Sequence, residues 1–113
     1  MNMKVKYADV VKFLNGTPGI LEKRIPSRLW MAIDMNVRAF SDAGASYMKK
    51  REAIINDINA SEEEKTAAIN ELLRMEVDVN VQKVPDSVLD AIDTSDKFDA
   101  LTGEQLGAIR FMF

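Results

Sequence analysis

PSRLWMAIDMNVRAFSDAGASYMKKREAIINDI, residues 26–58, is the stretch on which the fold turns. Pro26 opens it, and apolar residues recur at Trp30, Ile33, Val37, Phe40, Tyr47, Ile54 and Ile58. Those intervals are mostly three and four, the stripe of one amphipathic helix packed along one side. At about 1.5 Å per residue the run spans roughly 48 Å, whereas a compact domain of this length has a radius of gyration near ~13 Å. The helix therefore overhangs its own domain, and a second helix or a second copy of the chain must cover the excess. Inside it, Ala39 to Ser46 is rich in small side chains, with Gly44 at the place where a kink or a close backbone approach is expected. Close packing is the preferred reading.

Downstream, Asn59-Ala60 make a tight turn, and Ser61-Glu62-Glu63-Glu64 has the form of a capping box at the start of a second helix running to about Met75. So short a connection makes the two helices antiparallel neighbours, with Ile54 and Ile58 facing Lys65 and Ile69, and Tyr47 near Leu72. Val77, Val79 and Val81 alternate with polar residues as a strand. Its candidate partners are Met3–Lys6 and the Ile20–Ile25 segment. Tyr7–Leu14 reads as a short helix stopped by Asn15-Gly16 and Pro18-Gly19. Short elements follow Pro85, the last of them opened by a second capping box at Thr102. The expected fold is α+β in a single domain, 1–113: a long antiparallel helical hairpin, a small antiparallel β-sheet and short C-terminal helices.

Composition narrows the chemistry. In 113 residues there is neither cysteine nor histidine, so disulfides, thiolate nucleophiles, imidazole proton transfer and the usual zinc ligands are all missing. Asp90, Asp93, Asp96 and Asp99 recur at every third position, a spacing that fails the calcium-loop pattern. No phosphate-binding loop or serine elbow is present, and no second acid is placed to pair with Asp34 or Asp42. The reading is a non-enzymatic protein with no metal and no cofactor. The charged residues at Lys4, Lys6, Asp9 and Lys12 break any leader-like apolar run, and no uncharged stretch is long enough to span a bilayer. A cytoplasmic location without membrane attachment is expected. A net charge of −3 argues against general nucleic-acid binding.

The charge is unevenly placed. Residues 1–30 hold six Lys/Arg against Asp9 and Glu22, while residues 86–113 hold six acids against Lys97 and Arg110. Mutual neutralisation of the two ends is the simpler account, and a basic surface at Lys23, Arg24 and Arg28 the functional one. Trp30, Met31 and Met35 head the long helix, where methionine suits either an adaptable partner groove or an irregular core. Core is the preferred reading. The apolar Phe111-Met112-Phe113 is expected to be buried beside Trp30 and Ile33. Candidate partner-binding residues are thus Lys23, Arg24, Arg28, Trp30, Gly44, Phe111 and Phe113.

Taken together, Ile25-Pro26, Met35-Asn36, the run Glu71 to Val79 and the segment Thr102 to Met112 form a pattern that resembles a group of small bacteriophage and prophage proteins of unknown function. The small-residue zone at Gly44 and the N-terminal segment depart from that pattern. The resemblance implies a viral origin, hence a bacterial host cytoplasm, and brings no activity with it. Two function classes are expected: a virion-assembly or scaffolding partner acting through its hairpin as a homo-oligomer, or an inhibitor that sequesters a host defence factor or nucleotide signal.

Overall fold

A computed structural model describes residues 2–113. A strand, β1 (Asn2–Lys6), leads into helix α1 (Tyr7–Leu21), which a short loop joins to the long helix α2 (Ser27–Ile55). Helix α3 (Glu62–Arg74) folds back along it, followed by strand β2 (Glu76–Asn80), helices α4 (Ser87–Thr94) and α5 (Gly103–Ile109), and a 3₁₀ turn at Arg110–Met112. The long helix runs unbroken through Gly44, and the molecule measures 56 × 26 × 17 Å. Its Cα radius of gyration is 16.5 Å, above the ~13 Å of a compact domain of this size. The expected α+β fold, with its long helices and short C-terminal ones, is present.

Ser61 Oγ accepts from the Glu64 amide at 3.1 Å while the Glu64 carboxylate reaches back, so α3 starts at its capping box. Tyr7, Tyr47 and Leu72 then form a small cluster to which Ile54 adds. Ile58, however, is 92 % exposed, because α2 ends at Ile55. Asp57 draws the Asn59 amide to its own carboxylate at 3.0 Å, a local turn that competes with further helix.

β2 pairs antiparallel with β1, setting Met3 opposite Val79 and Val5 opposite Val77 on the inner face, with Lys4 opposite Asp78 and Lys6 opposite Glu76 outside. Ile20–Ile25 is not a strand. It holds the end of α1 and the loop that follows, because α1 does not stop at Asn15-Gly16 but continues through Pro18. The reason is tertiary. Tyr7, Val10, Phe13, Thr17 and Ile20 form one continuous buried stripe, and burying a residue such as Ile20 contributes about 1.5–3 kcal/mol, comparable to the ~3 kcal/mol that an internal proline costs. Gly16 lies against α5 so closely that an added Cβ would come within 3.0 Å of the Ala108 Cβ.

The main core lies between α1, α2 and the C-terminal segment. Phe13, Phe40 and Phe111 pack with ring centroids 4.6–5.3 Å apart, and Met112 is fully buried. The C-terminal aromatic contacts are thus with Phe13 and Phe40 rather than beside Trp30. Val84 N–H donates to the Met112 carbonyl at 2.8 Å, and Lys83 Nζ donates to that of Phe111.

Candidate functional site

The buried stripe of α2 keeps Ile33, Phe40 and Tyr47 as expected, and Leu29, Ala32, Asn36 and Gly44 join them in place of Trp30 and Val37. Two of its slots hold residues that hydrophobic periodicity overlooks. Asn36 is 0 % exposed; its Nδ2 donates to the Gln82 carbonyl at 3.1 Å and its Oδ1 accepts the Gln82 N–H at 2.7 Å. This two-point clamp fastens the segment after β2 to the middle of the long helix. Gly44 is buried where α1 crosses, an added Cβ meeting Leu14 Cδ1 at 2.7 Å.

With Leu29 as the inward residue of the first turn, Trp30 lies at the surface, 40 % exposed, with Met31 at 61 % and Met35 at 49 %. The core reading of these three is therefore corrected: Leu29 fills the interior and they border it. Trp30 keeps one structural task, its Nε1 donating to the Leu21 carbonyl at 3.1 Å at the end of α1.

Lys23, Arg24 and Arg28 do not converge into one basic pocket. Lys23 Nζ donates to the Ala100 carbonyl at 2.7 Å and to Gln105 Oε1 at 2.8 Å. Arg24 holds Asp99 by its backbone N–H at 2.8 Å and its guanidinium at 3.1 Å, and the Asp99 N–H returns a bond to the Arg24 carbonyl at 2.8 Å. The backbone N–H of Arg24 first, then its guanidinium, keep the Asp99 carboxyl below the usual range. Two cations of the basic end are therefore engaged by the acidic end, and Arg28 is exposed without an ion pair among the described residues.

Two other places have chemical interest. The Tyr7 hydroxyl shares a 3.2 Å hydrogen bond with Ser46 Oγ and accepts from Lys50 Nζ at 3.1 Å. The Ser46 bond pulls its pKa down, burial opposes, and Lys50 adds to the lowering. Tyr7 is fully buried while Ser46 is half-buried and Lys50 exposed, and the trio ties α1 to α2. The second is a half-open cleft of about 420 Å³ between α4 and α5, walled by Leu89, Leu101, Leu106 and Phe113 with Asp86, Asp93 and Arg110 as its charged groups. Sequence reading placed Phe113 in a contact surface but missed this cleft, which is assembled from three short segments with no local signal in common. Among the described residues no three acids come together to hold a metal ion, and no helix is long and apolar enough to cross a membrane.

Of the candidate residues, Gly44 and Phe111 belong to the packed interior, Lys23 and Arg24 to the clasp on residues 99–105, and Phe113 to the cleft. Trp30 and Arg28 are both exposed on α2, nearly on opposite sides of its axis. Met31 and Met35 are exposed side by side, while Met48 and Ile55, the latter 40 % exposed, follow the line of Trp30 about 100° round the helix. Comparison with protein-family models, curated proteins and solved structures finds no match to this chain.

Proposed function

We propose that the chain is a non-enzymatic interaction protein that self-associates through the outer side of α2, and that it serves as an assembly or scaffolding partner of the virion type implied by its sequence resemblance to phage proteins. The observation that carries the reading is the exposed pair Met31 and Met35 on α2, with Trp30 and Met48 exposed about 100° round the same helix. Side chains of this kind on a soluble surface favour burial against another chain. The absence of histidine and cysteine adds to the case, since it leaves few groups for chemistry near neutral pH. The alternative, sequestration of a host factor or nucleotide signal by a basic pocket, draws less support. Lys23 and Arg24 already hold residues 99–105.

Light scattering on the purified chain and on Met31→Lys/Met35→Lys tests the reading. The parent is expected to be a dimer or larger and the variant a monomer with unchanged helical content. Equal masses for the two would refute a role for this face.

A further inference from the structure

The cleft between α4 and α5 is the product of two helical patterns. Along α4, Val88 and Ile92 turn into the core and are 9 % and 7 % exposed. Asp86 precedes the helix in helical backbone geometry, at φ −57° and ψ −28°. Asp86, Leu89 and Asp93 therefore fall within about 60° of one another on the face beside the core stripe, and a leucine stands between two carboxylates. On the other wall Leu106 and Arg110 are one helical turn apart, and Phe113 follows the 3₁₀ turn. Leu101, from the loop before α5, completes the apolar lining of a space of about 420 Å³.

Protein interiors leave few voids larger than one water, whose share of volume is about 30 Å³. This cleft is many times that size and falls in the range of small-molecule sites, roughly 300–1,000 Å³, which are lined mostly by apolar side chains with a few polar groups. Leu89, Leu101 and Phe113 pack on the core from one side, remain only partly buried, and meet the cleft on the other. The charged groups decide what the space suits. Asp86, Asp93 and Arg110 border it together, yet none of them makes an ion pair among the described residues. Asp86 makes no cap bond either. Two carboxylates against one guanidinium leave the lining net negative. Of the six acids in residues 86–113, only Asp99 is paired with a cation among the described residues. An acid-bordered cleft with apolar walls raises the local concentration of cations. We propose that the cleft binds a small apolar amine, a protonated ammonium group carried on a compact aromatic or branched hydrocarbon.

The hydrocarbon lies between Leu89 on one wall and Leu101, Leu106 and Phe113 on the other, and the ammonium rests on the α4 side with Asp86 and Asp93. Arg110 is on the α5 side, so it repels the ammonium from that wall and sets the direction of the ligand. An apolar anion would gain Arg110 but meet two carboxylates. An uncharged hydrocarbon would leave both carboxylates without a counter-charge. No residue of α2 lines the cleft, so the proposal is independent of self-association through that helix.

Two probes of matched shape and opposite charge test this on the full chain: 2-phenylethylammonium and 3-phenylpropionate, each titrated near neutral pH and followed by amide NMR. The amine should move resonances of residues 86–93 and 101–113 saturably, with a Kd of about 1 mM or tighter, and the propionate should bind at least tenfold more weakly. Asp86→Asn/Asp93→Asn alters exposed side chains only and should weaken the amine at least tenfold, whereas Arg110→Gln should strengthen it. Circular dichroism on each variant confirms that the fold is kept. Absence of saturable shifts in those two segments would overturn the proposal. So would propionate binding as tightly as the amine, or a double variant that binds the amine as well as the parent does.

Discussion

Asn36 offers the sharpest test of how the fold is held, because one side chain fastens two distant segments. Its amide makes both a donated and an accepted bond to Gln82, at 3.1 and 2.7 Å, in a fully buried position. Asn36→Ala removes both bonds, each contributing about 0.5–1.5 kcal/mol net, and leaves the Gln82 N–H and carbonyl short of partners. With the small cavity added, the loss is about 3 kcal/mol, or roughly 12 °C in the thermal midpoint for a chain of this length. Asn36→Leu keeps the volume and should still cost about 2 kcal/mol, which isolates the polar part. Asn36→Asp is more telling. One carboxylate oxygen still accepts the Gln82 N–H, but the other faces the Gln82 carbonyl, acceptor against acceptor, so the folded state raises the carboxyl's pKa. A raised folded-state pKa gives stability that is full below the unfolded value, about 3.9, and lost as pH rises through the folded one. The Asp variant should therefore trail the parent by about 3 kcal/mol or more at neutral pH and close much of the gap near ~pH 4. Urea unfolding followed by circular dichroism at both pH values measures this. An Ala variant within about 0.5 kcal/mol of the parent, or an Asp variant with a pH-independent deficit, would refute the clamp.

Gly16 and Gly44 both sit inside helices, where alanine is the better helix former by ~1 kcal/mol, yet their substitutions should differ. Gly16→Ala drives its Cβ to 3.0 Å from the Ala108 Cβ, a stub that cannot swing aside, and should lose about 1 kcal/mol as α5 is pushed off. Gly44→Ala meets only the rotatable end of Leu14, at 2.7 Å, and should stay within about 0.5 kcal/mol of neutral in chemical unfolding. Leu72→Ala opens the cluster with Tyr7 and Tyr47 and should cost about 3 kcal/mol, whereas an unchanged midpoint would dismiss the α2–α3 hairpin as a stabilising unit. Asp99 has a folded-state pKa below its usual value, so its bonds to Arg24 add stability above the unfolded pKa that disappears as pH falls through the folded one. Asp99→Asn should therefore flatten the fall of the thermal midpoint with acid below ~pH 4, and a parallel fall would assign it to other carboxylates.

What was legible in the sequence follows from where each signal resides. The long helix, the Ser61 and Thr102 caps and the alternation in β2 are local patterns, and each reappears in the structure within a few residues. The α2 stripe is legible at Ile33, Phe40 and Tyr47 but not in its first turn, nor at Asn36 and Gly44. Two inward slots are taken by Asn36, whose polarity is satisfied by Gln82, and by Gly44, which has no side chain to register as apolar. With those two invisible to hydrophobic spacing, the sequence points to Trp30 rather than Leu29 as the inward residue of the first turn. Likewise Pro18 marks a helix end by every local rule, and only the burial of Thr17 and Ile20 carries α1 past it. The basic cluster was legible as composition, but its partners lie about 75 residues away at Asp99 and Ala100, beyond any window of local reading. The cleft between α4 and α5 is a property of three segments meeting and of none alone.

The central claim is that the uncovered side of α2 is completed by another chain, and sedimentation equilibrium of the untagged protein over a wide concentration range tests it most directly. The account predicts a mass rising from 12.7 kDa toward twice that value at high micromolar concentration, with the rise abolished by Met31→Lys/Met35→Lys. A mass fixed at 12.7 kDa throughout would contradict it.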